Sequence, residues 1–236
     1  MYLELARIGK CLSSPKRLEL LDLLSQGPKS VERLARHTGM SVANASQHLQ
    51  VLFDARLVRF SKQGNYVVYD IADASVAAFM VGLRRLGEER SAEMQLMKSE
   101  LFRQHEGLEA VTLEELAERM DRGDVVLLDV RPREEYDKGH IPGAVSIPFE
   151  ELEQHLATLP ADKEIVAYCR GPYCLYSAQA VESLRRRGRR ALRLEEGVHE
   201  YLQFAAARSA ARGGSASRGA PASRLEQTKE VWSDGA

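Results

Sequence analysis

Residues 30–71, SVERLARHTGMSVANASQHLQVLFDARLVRFSKQGNYVVYDI, change periodicity twice, and the order of the changes sets the architecture of the N-terminal half. Val31, Leu34 and Ala35 keep helical spacing after Ser30 and stop at Gly39, a residue suited to the left-handed C-terminal position. A second helix follows one residue later. Ser41 can cap it, and Val42, Ala45, Leu49, Leu52 and Phe53 fall in one sector of its wheel, with Ala43, Asn44 and Gln47 on the opposite side. From Leu57 the period drops to two: Val58 and Phe60 alternate with Arg59 and Ser61, Gly64 and Asn65 interrupt, and Tyr66 to Ile71 is β-branched and aromatic, which makes a β-hairpin. Upstream, Ser14 and Pro15 open a short helix carrying Leu18, Leu21 and Leu24, which Gly27 and Pro28 end. Downstream, Asp73 caps one long helix whose Val76, Phe79, Met80, Leu83, Leu86, Met94, Met97 and Leu101 form a stripe that calls for a partner helix.

The chain of 236 residues has room for two domains of about 100 residues each. With 44% hydrophobic and 28% charged residues and a net charge of -1, it has the balance of a globular protein and no global pull toward polyanions, so nucleic-acid contact must come from a local face. Apolar runs such as Val125 to Leu128 fall far short of the roughly 18 residues a membrane span requires, and Met1 to Ser14 lacks the apolar core of a secretory signal. A cytoplasmic protein without a membrane partner is expected. Three cysteines, Cys11, Cys169 and Cys174, are too few for a disulfide framework, and a reducing compartment keeps them as thiols, so their interest is reactivity.

Three helices, a hairpin and a further helix in that order make a winged helix-turn-helix, in which the Ser41 to Ala55 helix enters the major groove and the hairpin reaches the flanking backbone or minor groove. Asn44, Gln47 and His48 can hydrogen-bond base edges, Ala43 permits close approach, and Arg59, Lys62 and Asn65 can contact phosphates. Taken singly, each is also an ordinary solvated polar position. The whole string resembles the ArsR family of bacterial winged-helix repressors over roughly residues 1 to 100. The resemblance implies a homodimer that leaves double-stranded operator DNA when an inducer binds. It puts Ser46, Gln47 and His48, with Ser41 at the helix start, on the recognition helix, and Met1 to Leu12 plus the helix from Asp73 at the dimer interface. Metal-sensing members carry paired cysteines in the helix matching Ser30 to Thr38 or Asp/His pairs in the last helix; here the first reads SVERLARHT and the second has no histidine before His105, so no metal is expected. Cys11, lone on an amphipathic helix, reads as a small buried apolar residue.

After Gly107, helices alternate with the β-rich runs Val125 to Val130, Ala144 to Ile147, Ile165 to Cys169 and Ala191 to Leu194, which argues for a mainly parallel sheet covered by helices. Thr112 with Glu115 forms a capping box for the first helix. Cys169 ends an apolar β-run, at the sheet edge where α/β folds form ligand crevices. Arg170 to Cys174 then wraps toward a helix start, where backbone N–H groups and the helix dipole favour an anion such as a thiolate or persulfide. Gly171 allows close backbone approach and Arg170 supplies positive charge.

LLDVRPREEYDKGHIPGAVSIPFEEL (127–152) followed by EIVAYCRGPYC (164–174) resembles the rhodanese domain, over about residues 108 to 205. That resemblance implies that Cys169 carries sulfur as a persulfide taken from a small donor such as thiosulfate, a persulfide or a polysulfide, without a cofactor. It implies that Asp129 and Arg131 organise the catalytic site through an ion pair. His140 is expected to fix the GHIPGA turn. Cys174 stands five positions after Cys169, where many rhodaneses carry arginine or a small polar residue; it is either a resolving or sensing thiol or part of the pocket lining, and bridging needs Cα atoms within about 7 Å. Leu175 replaces the arginine by which related phosphatases grip phosphate, which disfavours phosphatase chemistry. The six arginines of Arg185 to Arg193 read as a solvated helix end.

The expected architecture is thus two domains: a mainly α winged helix-turn-helix for DNA binding and dimerisation (1–107, including the long connecting helix) and an α/β rhodanese-like domain with a mainly parallel sheet (108–207). The Gly, Ser, Ala and Arg of 208–236 bury too little apolar surface to repay ordering entropy, so a disordered tail is expected. The expected function is a DNA-binding regulator, a repressor, whose second domain senses or transfers reactive sulfur. The alternative is a sulfurtransferase enzyme using thiosulfate or a persulfide, with the winged helix serving mainly for dimerisation.

Overall fold

The computed structural model describes residues 1–105 and 107–216. The first half runs α1 (Tyr2–Leu12), α2 (Pro15–Ser25), β1 (Lys29–Ser30), α3 (Val31–Thr38), α4 (Val42–Asp54), β2 (Val58–Gln63), β3 (Tyr66–Ile71), α5 (Ala74–Arg90) and α6 (Ala92–Phe102). Ser30 and Ser41 accept hydrogen bonds from the N–H groups of Arg33 and Asn44, so α4 is capped by Ser41 as expected and α3 is capped by Ser30. Ser14 makes no such bond, and α2 starts on Pro15 alone. Leu20, Leu21 and Leu24 of α2 meet Leu34 of α3 and Leu49 and Leu52 of α4 in a fully buried core against Val58 and Tyr69 of the hairpin. Val42 and Phe53, expected on that buried sector of α4, are exposed; Phe53 instead packs on Phe60 of β2, with ring centroids 5.1 Å apart. The hairpin gains a strand the sequence did not signal, β1, so the sheet order is β1-β3-β2, antiparallel throughout.

The expected continuous helix from Asp73 is broken. Ser91 adopts an extended backbone (φ -115°, ψ 108°), ends α5, and accepts the N–H of Met94 to start α6. Gln95 donates back to the Glu88 carbonyl at 2.9 Å, tying the two helices together across the break. The apolar stripe therefore divides: Val76 and Met80 enter the core, whereas Phe79, Leu86, Met97 and Leu101 stay exposed.

The second half runs β4 (Ala110–Val111), α7 (Leu113–Arg122), β5 (Val125–Asp129), α8 (Arg133–Lys138), β6 (Val145–Ser146), α9 (Leu152–His155), β7 (Glu164–Tyr168), α10 (Leu175–Arg186), β8 (Ala191–Leu194) and α11 (Val198–Ala216). Its five strands pair in parallel in the order β4-β8-β7-β5-β6, and the Thr112–Glu115 capping box is formed in full. Strand alternation sorts two cores: Leu128, Ile165, Ala167 and Cys169 face α9 and α10, while Leu127, Val166 and Tyr168 face α7 and α11. α11 carries through Arg208 to Ala216, so the first nine residues of the expected tail are helical; residues 217–236 lie outside the described part. The arginine run is also not a merely solvated end. Arg185, Arg189 and Arg190 donate to the carbonyls of Ala191, Leu159 and Asp162, and Arg193 is buried over the Phe102 ring at 4.2 Å. Among the described residues no helix is long and apolar enough to cross a membrane.

Leu49 is fully buried in α4, so Leu49→Ala should cost about 2–5 kcal/mol of stability, read by urea unfolding at constant m.

Candidate functional site: a cysteine bridge where two domains meet

β7 delivers Cys169 to the α10 side of the sheet, and the chain then turns through Arg170–Tyr173 so that Cys174 becomes the N-cap of α10. The two cysteines are joined in a disulfide, with Cα atoms 6.2 Å apart. Gly171 makes the turn at φ 143°, a backbone region L side chains rarely adopt, and its carbonyl accepts the N–H of Cys174 at 3.1 Å. Gly197, ahead of α11, presses on the same loop: a Cβ there would stand 2.5 Å from the Arg170 carbonyl oxygen.

The loop touches the first domain at several points. Glu135 of α8, with 1% of its side chain exposed, accepts from Arg170 at 2.8 and 2.9 Å and lies 3.6 Å from Lys29 of β1. Burial pushes the Lys29 ammonium below its ordinary pKa and Glu135 opposes that shift. Arg84 of α5 donates to Asp22 of α2 at 2.8 Å and to Glu200 of α11 at 2.9 Å, and lies over the Tyr173 ring. Tyr173 in turn donates to Glu88 of α5 at 2.7 Å; burial and that carboxylate push its hydroxyl up to about 12. Above Cys174 these groups leave a cleft of about 380 Å³, walled by Asp22, Leu23 and Arg84 from one domain and Arg170, Tyr173 and Tyr176 from the other.

Asp129 and Arg131 form the expected ion pair, at 2.6 and 3.0 Å. Both are buried, but Asp129 shares the sheet face of its strand partner Tyr168, opposite Cys169, and neither residue walls the cleft. Tyr168 donates to Asp129 and accepts the Ile141 N–H, and Arg131 also donates to the Gly139 carbonyl at 2.8 Å, so the group braces the GHIPGA turn. His140 stacks on Tyr136 with centroids 3.8 Å apart. Cys11 is buried, its thiol raised in pKa by burial and pointing to the Val51 carbonyl.

On the other surface, Ser41, Ala43, Asn44, Ser46 and Gln47 of the α4 start are exposed and His48 is half-buried. Lys62 and Asn65 are exposed on the hairpin. Arg59 is bonded to Asp70 across the strands at 2.8 Å yet keeps 63% of its side chain exposed. Sequence reading missed Lys29, Arg84, Glu88, Glu135 and Glu200. Glu135 sits in REEYDK, which reads as a surface helix, and no local pattern marks a carboxylate buried by another domain.

The chain matches known families in both halves: residues 14–59 match the bacterial regulatory proteins of the arsR family, and residues 112–204 match the rhodanese-like domain. It is 41% identical over 84% of its length, and 87% of the relative's, to the HTH-type transcriptional regulator Rv0324 of Mycobacterium tuberculosis. It is 43% identical over 30% of its length, and 67% of the relative's, to the arsenical resistance operon repressor of Staphylococcus xylosus. Among solved structures, a homodimeric winged helix-turn-helix domain of a possible ArsR-family regulator from Mycobacterium bovis is 37% identical, covering 38% of this chain and 83% of that one, with a TM-score of 0.37.

Glu135→Ala would leave Lys29 buried beside Arg170 without their shared carboxylate. A loss of about 3–5 kcal/mol is expected in urea unfolding, against less than about 1 kcal/mol for Glu150→Ala on the surface.

Proposed function

The chain belongs to the ArsR family of HTH-type transcriptional regulators and carries a rhodanese-like domain behind its winged helix, and from that premise we propose that it is a homodimeric repressor whose hold on operator DNA is set by sulfur chemistry at Cys169 and Cys174. The observation that carries the reading is the Cys169–Cys174 bridge in a loop that touches the DNA-binding half. In the reduced protein the Cys169 thiolate takes the terminal sulfur of a persulfide donor, RSSH, giving Cys169–S–SH and releasing RS⁻. The Cys174 thiolate then attacks the Cys169 sulfur and expels HS⁻, leaving the bridge. Two thiols are oxidised and one sulfane sulfur is reduced to sulfide, so the donor is the oxidant.

A resolving Cys174 also favours one of the two functional readings. A turnover sulfurtransferase keeps its persulfide for an acceptor, whereas a second thiol 6.2 Å away at Cα consumes it and records that it was there. The bridge favours a sensor. For the DNA side, α4 is assigned to the major groove through Ala43, Asn44, Ser46, Gln47 and His48, with Ser41 at its cap, and Arg59, Lys62 and Asn65 are assigned to the flanking phosphates. The dimer is supported by α1, whose Tyr2, Leu3, Leu5 and Ile8 are exposed, an apolar face a monomer would leave in water.

Gln47→Ala with His48→Ala should weaken operator binding at least tenfold while leaving the slope of affinity against salt almost unchanged; an undiminished affinity rules out base readout by α4. Treated with a persulfide donor, wild type should end 2 Da lighter by intact mass, Cys174→Ser should hold a stable 32 Da adduct, and Cys169→Ser neither. Sedimentation should give a dimer at micromolar concentration, and Leu5→Glu with Ile8→Glu a monomer.

A further inference from the structure

The two sulfurs of the bridge are not equivalent. Cys169 is 1% exposed, packed with Leu128, Val130, Ala180 and Val181, and takes no part in the cleft wall. Cys174 is half-buried and faces that cleft, which Asp22, Leu23 and Arg84 of the DNA-binding half wall on its other side. A nucleophile opening a disulfide approaches in line, from behind the sulfur it attacks, so access selects the sulfur. Cys174 lines the cleft; Cys169 is enclosed in the core.

We propose that hydrosulfide or another small thiol reopens the bridge by attacking Cys174, from a seat between the two domains. The inference rests on the bridge being the state that sulfur uptake leaves behind. In the step, HS⁻ forms a new S–S bond to Sγ of Cys174, the Cys169–Cys174 bond breaks, and its electron pair leaves with Sγ of Cys169 as thiolate; the product is Cys174–S–SH, with no further oxidant or reductant needed. A second thiol then removes the outer sulfur as its own persulfide and completes the reset. One effect opposes this direction. Cys174 caps α10, and the helix dipole favours its departure as the thiolate, which is worth about fivefold at an exposed terminus. Attack on Cys169 retraces the closing step and needs the loop to loosen again as it did when HS⁻ left, whereas Cys174 lines the cleft in the closed bridge. Access therefore decides.

The seat has a consequence for signalling. The incoming thiol occupies space beside Arg84, which ties Asp22 of α2 and Glu200 of α11 together and lies over Tyr173. Reset thus happens at a contact of the DNA-binding half and not on a free face of the sulfur domain.

The test uses full-length protein in the bridged form, exposed briefly to glutathione or to hydrosulfide, quenched with iodoacetamide and digested with trypsin, which cuts after Arg170 and separates the two cysteines. The incoming group should lie on the Cys174 peptide and the alkyl group on the Cys169 peptide, in about tenfold excess over the reverse. An even split or the reverse pattern overturns the proposal. Leu23→Trp, filling the cleft from α2, should slow opening by glutathione about tenfold; an unchanged rate in a variant that melts as wild type does overturns the seat between domains. A wild-type protein in which persulfide donors form no bridge removes the sensing reading itself, and this inference with it.

Discussion

Glu135 is a carboxylate almost wholly removed from water, and a charge in that position persists only with partners. It has two, from opposite halves of the chain: Lys29 on the first strand of the winged-helix sheet and Arg170 on the loop after β7. Lys29 is itself anchored, its ammonium donating to the Leu23 carbonyl at 3.0 Å, so the carboxylate cannot move toward one partner without straining the other. Two buried charges and the half-buried Arg170 guanidinium fix β1, α8 and the cysteine loop in one arrangement. The cost of burying them is met only when all are present, which makes the arrangement close to all-or-none.

Arg84 repeats the device on the far side of the loop. Its guanidinium joins α2 to α11 and covers Tyr173, and Gly171 has to be glycine for its backbone angle, with a Cβ there also crowding the Arg84 Nη1 atom at 3.2 Å. Gly197 closes the third side. A loop held between Glu135, Arg84 and Gly197 has little freedom to rearrange without being felt in α2 and α5, the elements that pack against α4 and the hairpin, to which we assign DNA contact.

The sequence made most of this fold legible because its local signals agree with each other. Ser30, Ser41 and Thr112 cap the helices they precede, and the period of two in 57–71 became the hairpin. What stayed hidden was non-local. The two-residue strands β1 and β4 have no periodicity to read, and each exists because a longer strand lies beside it. The break at Ser91 was overridden by the apolar spacing on either side, which continues as if the helix did. For the site, Cys169, Cys174 and the Asp129–Arg131 pair could be read from motifs, but which face of the sheet each occupies is set by strand register, and it puts Asp129 on the side away from Cys169. Glu135, Arg84 and Glu88 look like surface charges until the second domain is placed over them.

A bridge in this loop can act on DNA affinity only to the extent that bridged and open loops differ in their contacts with the DNA-binding half. The contacts available are few: Tyr173 with Glu88, Arg84 against Tyr173, and Arg170 with Lys29 through Glu135 of its own domain. Those of Tyr173 belong to the turn that the bridge tightens, and both end on α5; that of Arg170 ends on a buried carboxylate shared with β1. Losing one charge-assisted hydrogen bond of this kind changes a free energy by about 1.5–3 kcal/mol, and a coupling of about 1–3 kcal/mol between sites is a factor of 5–150 in affinity. The number of contacts is therefore enough for a switch of ordinary strength. They also set its direction of failure, since loosening Tyr173 frees α5 alone, whereas loosening Arg170 leaves Lys29 and Glu135 to hold the sheet of the wing.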